Sequence, residues 1–179
     1  MYEIMLLDDE ENILKALKRT LSANKNWSVE IFTNGEEALQ RVMKKQFDLY
    51  LSDYRMPEID GISFLTGVKK LQPDSIRLIL SGYTDLDALM GAINQAEIFR
   101  FITKPWNDDV LINSIKQALT YRDTLLENKR LADTVRKQQS ELDKQKVIFE
   151  EYKTKHPDLF KVEWSDDGSI IIDENELDN

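Results

Sequence analysis

Four short apolar runs in this chain each end on residues that a protein core rejects. Glu3 to Leu7 stops at Asp8-Asp9, Leu49 to Leu51 at Ser52-Asp53, Ile76 to Leu80 at Ser81-Gly82, and Ile98 to Ile102 at Thr103-Lys104. Runs this short read as buried strands, and Trp27 to Phe32 alternates as a fifth. Between them lie segments with helical spacing: Ile13, Leu14, Leu17 and Leu21; Ala38, Leu39 and Val42; Ile62 to Leu71; and Leu86, Leu89, Met90 and Ile93. Strands and helices in alternation predict a parallel sheet covered on both faces. The strands of such a sheet end on one edge, where the ligand crevice of an open α/β fold forms. All four polar endings fall there.

The central stretch runs from Phe47 to Gly61, with Pro57 and Asp60-Gly61 marking a broken loop after the strand. A single Asp53 at that place could equally cap a loop, and Glu10 and Glu11 suit the first turn of a helix. Asp8, Asp9 and Asp53 together are a different matter. Three carboxylates on one sheet edge repel one another unless a cation sits among them. The chain has no cysteine and a single histidine, and hard oxygen donors favour Mg²⁺. Lys104 adds a positive point charge and Ser81 a hydroxyl, groups suited to phosphoryl oxygens, and Gly82 leaves room beside them.

Asp8-Asp9, Asp53 with Pro57 four residues on, Gly61, Ser81-Gly82 and Lys104-Pro105 resemble the receiver domain of two-component response regulators, over roughly residues 1–120. The resemblance implies a flavodoxin-like (βα)₅ fold, a doubly wound parallel sheet with strand order 2-1-3-4-5. It implies that Asp53 accepts a phosphoryl group from a histidine kinase or phosphotransfer protein. Asp9, Asp53 and the backbone carbonyl of Arg55 would ligate Mg²⁺ directly, with Asp8 acting through water. Lys104 would pair with the acyl phosphate, and the bond before Pro105 would be cis. It also implies a switch, in which Ser81 moves toward the phosphoryl group and Phe101 turns inward. Phenylalanine stands where many relatives have tyrosine, so packing alone must hold that inward rotamer. Arg55 occupies a position that tunes phosphate lifetime in relatives. Trp106 directly after Lys-Pro resembles a subset of regulators joined to helical or cyclic-nucleotide-related outputs.

A helix is expected from near Asn107, a good cap, and no glycine or proline interrupts residues 106 to 156. An unbroken helix of that length reaches roughly 70 Å, so most of it is expected to project from the first domain. With Tyr121 at heptad position a, Asn128, Val135, Leu142 and Phe149 follow at a, and Thr124, Leu131, Gln138, Gln145 and Tyr152 at d. That pattern supports a coiled-coil homodimer through residues 121–152. Beyond Pro157, two apolar stretches flank Asp166-Asp167-Gly168 as in a β-hairpin. The organisation read is a receiver at 1–120, an extended helix at 121–156, and a hairpin with an acidic tail at 157–179.

The net charge of −9 argues against nonspecific binding to nucleic acid or anionic membrane. No apolar run nears the ~20 residues of a membrane span. The first residues lack the basic region of a signal peptide, so the expected setting is cytoplasmic. No helix-turn-helix and no GGDEF, EAL or HD-GYP motif is found, which leaves signalling through contacts with an unknown downstream protein. Two alternatives stand beside that reading. The chain could be the receiver fragment of a longer regulator, or a Mg²⁺-dependent phosphatase with Asp53 as nucleophile. The latter is disfavoured because Arg55 stands where such enzymes need a second carboxylate.

Overall fold

The computed structural model describes residues 1–82, 96–160, 163–164 and 170–171. Its elements follow in the order β1 (Tyr2–Leu7), α1 (Glu11–Leu21), β2 (Trp27–Phe32), α2 (Gly35–Val42), β3 (Leu49–Asp53), α3 (Gly61–Leu71), β4 (Ile76–Gly82), β5 (Arg100–Lys104) and α4 (Asp108–Lys155). A 3₁₀ turn, Pro157–Phe160, and the short strands β6 (Glu163–Trp164) and β7 (Ile170–Ile171) complete the chain. The helix expected around Leu86 to Ile93 lies outside the described residues.

Five strands form one parallel sheet in the order β2-β1-β3-β4-β5, the flavodoxin-like arrangement expected. Side chains alternate between its faces, so the buried strands supply two cores. Ile4, Leu6, Leu49, Leu51, Leu78, Leu80 and Ile102 pack against Leu14, Leu17 and Leu21 of α1 and Leu111, Ile115 and Leu119 of α4. Met5, Leu7, Tyr50 and Ile79 face Ala38 and Val42 of α2 and Ile62, Phe64, Leu65 and Val68 of α3. Each fully buried leucine or isoleucine contributes about 2 kcal/mol, so the sheet is held chiefly by this double burial.

Polar side chains close the corners. Asn34 caps α2 by accepting from the N–H groups of Glu36 and Glu37, and Asp60 caps α3 by accepting from Ser63 N–H. Asn107 caps α4 as expected, accepting from Asp109 and Val110 N–H. Buried Gln72 donates to the carbonyls of Val42 and Lys45 and accepts from Phe47 N–H and the Tyr50 hydroxyl, which ties α2, β3 and the end of α3 together.

The chain divides into two compact units, Met1–Asn128 and Lys129–Asn179. The first runs past residue 120 because the next turn of α4 is fastened to it. Tyr121 stacks on Phe99 at 5.2 Å between ring centroids, and the Tyr2 hydroxyl donates to Asp123 at 2.6 Å. Arg122 ion-pairs with Asp48 at 2.8 Å and donates to the Asp74 carbonyl at 3.0 Å. In the second unit the rings of Phe149 and Tyr152 pack against Phe160. The antiparallel pairing of β6 with β7 fits the expected hairpin, whose turn lies outside the described residues. Among the described residues no helix is long and apolar enough to cross a membrane.

Candidate phosphoryl-accepting site

Parallel register brings the strand ends together. Leu7 pairs with Ser52, and Asp53 pairs with Leu80, so Asp8, Asp53 and Ser81 leave three neighbouring strands at one edge. On β5 Thr103 lies opposite Ser81, and Lys104 lies opposite Gly82.

The Lys104 ammonium sits between two carboxylates, 2.6 Å from Asp53 Oδ1 and 2.8 Å from Asp8 Oδ2. Both acids are almost fully buried, Asp8 at 1% exposed and Asp53 at 6%. Each offers its second oxygen to a backbone donor: Glu10 N–H at 2.9 Å for Asp8, and Arg55 N–H at 3.0 Å for Asp53. Burial pushes the Asp53 carboxyl above its ordinary range, and the Asp8 carboxylate adds to that; Lys104 and the Arg55 N–H offset it only in part. Burial alone would lower the Lys104 pKa, but its hydrogen bonds to Asp53 and Asp8 outweigh it and the net shift is upward. Burial thus works against the charge on Asp53, and the paired carboxylates favour the charge on Lys104.

The loop after Asp53 is fixed by close contact. Gly61 N–H donates to the Tyr54 carbonyl at 3.0 Å, and a Cβ on Gly61 would overlap the Asp53 carbonyl oxygen. Only glycine permits that approach, so Gly61 sets where the acceptor strand ends. The Lys104–Pro105 peptide is cis.

The remaining candidates are distributed unequally. Ser81 is buried, and its hydroxyl has no hydrogen-bond partner among the described residues. A buried hydroxyl without a partner is costly. Asp9 is exposed at the rim, in contrast to its neighbour Asp8. Phe101, on β5, is 39% exposed. Glu58 and Asp60 belong to the loop, Asp60 as the α3 cap already described.

Among the described residues no three or more acidic, histidine or cysteine side chains are gathered as a metal cage. Mg²⁺ does not ask for one. It keeps several waters and takes one or two carboxylates with a substrate phosphate. Two buried carboxylates that share a single ammonium, with exposed Asp9 beside them in sequence and only oxygen donors at hand, match that requirement.

The ion pairs of Lys104 with Asp8 and Asp53 carry no sequence signal beyond the charges themselves. Alternation along β1 does not distinguish Asp8 from Asp9, since Leu6 and Leu7 are both buried, on opposite faces of the sheet. The Arg55 N–H contact carries no sequence signal, because any non-proline residue supplies the same donor.

The family model of the response regulator receiver domain matches residues 4–116. Over 116 residues the chain is 34% identical to the hydrogenase transcriptional regulatory protein HoxA of Cupriavidus necator, a match spanning 65% of this chain and 24% of that protein. The chain thus spans about a quarter of the length of the curated relatives it matches. Among solved structures it is similar to the signal receiver domain of an HD domain-containing protein from Pseudomonas fluorescens Pf-5. That match has TM-score 0.65 and 32% identity, and covers 69% of this chain and 98% of the other. A response regulator receiver domain protein from Clostridium thermocellum matches with TM-score 0.65 and 27% identity, covering 70% and 99%.

Proposed function

The chain belongs to the response regulator receiver domain family, and from that premise we propose that Asp53 takes a phosphoryl group from a histidine kinase or phosphotransfer protein. The observation that carries the proposal is the Lys104 ammonium, poised 2.6 Å from Asp53 at the carboxyl edge of the sheet. A carboxylate raised in pKa by burial is the more basic and hence the better nucleophile. In the transfer an Asp53 oxygen bonds to phosphorus as the donor's P–N bond breaks, and the imidazole leaves with its electron pair. Lys104 then exchanges one carboxylate contact for a phosphoryl oxygen, and the Ser81 hydroxyl, without a hydrogen-bond partner among the described residues, becomes a donor to another.

Asp9, Asp53 and the Arg55 carbonyl are the residues proposed to hold Mg²⁺ directly, with Asp8 through water. The ion would neutralise charge on the transferred group. An apolar depression lined by Ile13, Pro105 and Trp106 beside Lys104 gives a donor protein a surface on which to dock. Movement of Ser81 and inward rotation of Phe101 would pass the change along β4 and β5. Output is proposed to run through self-association of the long helix and contact with a downstream protein. The chain is read as a phosphoacceptor with slow self-hydrolysis, and not as a turnover phosphatase.

A small acyl-phosphate donor with Mg²⁺ should add one phosphoryl group to the full chain, read by intact mass. The Asp53→Asn variant, folded by circular dichroism, should add none. Equal uptake by the variant would remove Asp53 from the role.

A further inference from the structure

We propose that residues 128–145 of α4 pair, parallel and in register, with the same residues of a second copy of this chain. This deepens the self-association reading above by fixing the direction and both ends of the seam.

The amino-terminal limit is set inside the first unit. Tyr121 stacks on Phe99, while Arg122 and Asp123 are held by Asp48, the Asp74 carbonyl and Tyr2. A knob at Tyr121 would have to abandon those contacts. The other limit is set inside the second unit. Phe149 and Tyr152 pack on Phe160 of the same chain at 5.4 and 6.3 Å between ring centroids. What stays open between them is a line of a and d positions: Asn128, Leu131, Val135, Gln138, Leu142 and Gln145. Leu131, Val135 and Leu142 are 48%, 61% and 50% exposed; Tyr121, Phe149 and Tyr152 are about half exposed too, and what sets them apart is the ring contact each makes within its own chain.

Direction follows from pairing like with like. In a parallel seam each layer faces its own copy, so Asn128, Gln138 and Gln145 meet amide partners, and Leu131, Val135 and Leu142 meet apolar ones. The antiparallel arrangement that overlaps the same window sets residue 128 opposite 145. It puts Val135 against Gln138 of the second copy twice, leaving an amide on an apolar side chain. Flanking charge agrees with the parallel seam. Glu141 at g then lies by Lys146 at e of the next heptad on the other copy, and the pair occurs twice by symmetry. With three apolar layers the seam is short, so association is expected to be weak and dependent on concentration.

The chain has no cysteine, so single cysteines report the seam directly. Val135→Cys and Leu142→Cys in the full chain should oxidise to covalent dimers on the order of tenfold faster than Ser140→Cys at position f, because seam positions face their own copies within disulfide reach and position f points away. Thr124→Cys and Tyr152→Cys, which leave the Tyr121–Phe99 and Phe149–Phe160 contacts in place, should be slow. A chain that light scattering finds dimeric, but in which Ser140→Cys or Tyr152→Cys matches Val135→Cys, would overturn this seam and leave self-association standing. A monomer at every concentration would overturn both.

Discussion

Leu65 and Leu142 are both helical leucines in an apolar stripe, yet Leu65 is 0% exposed and Leu142 50%. The stripe of α3 meets a sheet whose side chains alternate with period two, and the sheet returns an equal apolar face. The stripe of α4 beyond Asn128 recurs every three to four residues against no comparable surface among the described residues. The same chemistry thus has two uses. In the first unit the apolar pattern builds the packed cores on both faces of the sheet, and in the second it stands exposed, where the proposed seam would use it.

The widest gap between the two regions should appear in stability. Leu65→Ala should cost about 3 kcal/mol, measured by urea denaturation of the full chain, because it leaves a cavity in a packed core. Leu142→Ala should change the same unfolding midpoint by less than about 0.5 kcal/mol at dilute concentration. Equal losses would break the contrast. Gly61→Ala should cost about 2 kcal/mol and slow phosphoryl uptake, since the new Cβ displaces the Asp53 carbonyl. Normal uptake by that variant would mean the acceptor tolerates a shifted strand end.

Surface charge in the first unit gives the smallest effect. Arg41, with Lys45 aiding it, lowers the Glu30 pKa from 4.5 to about 2. An acid whose folded pKa is depressed stabilises the fold above its unfolded pKa and loses that benefit as pH falls toward the folded one. Glu30→Gln should therefore destabilise at pH 7 by about 1 kcal/mol, discounted for solvent screening, and match the parent near pH 2. A loss that does not change with pH would assign the effect to packing.

Sequence and structure agree most closely where chemistry and periodicity coincide. Asp8, Asp53, Ser81 and Lys104 were legible as strand endings because apolar runs stop abruptly, and a parallel sheet leaves no choice about which edge they share. The Asn107 cap was legible from the residues themselves, whereas the strand order was expected only from the resemblance to receiver domains. The fastening of Tyr121, Arg122 and Asp123 was not legible. Its partners lie 121 residues away in the case of Tyr2 and Asp123, and 48 in that of Arg122 and Asp74. Nothing in the heptad pattern distinguishes a tyrosine stacked within its own chain from one awaiting a second copy. The contacts of Phe149 and Tyr152 with Phe160, from beyond a proline turn, carry no signal in that pattern either.

The central claim is that the chemistry resides wholly in the first unit. It is tested most directly by comparing residues 1–128 with the full chain for phosphoryl uptake from a small acyl-phosphate donor with Mg²⁺. The shorter chain should fold cooperatively, keep the anchors at residues 121–123, and take up one group at the same rate. A folded shorter chain that takes up none would place an essential part of the site beyond Asn128 and contradict the account.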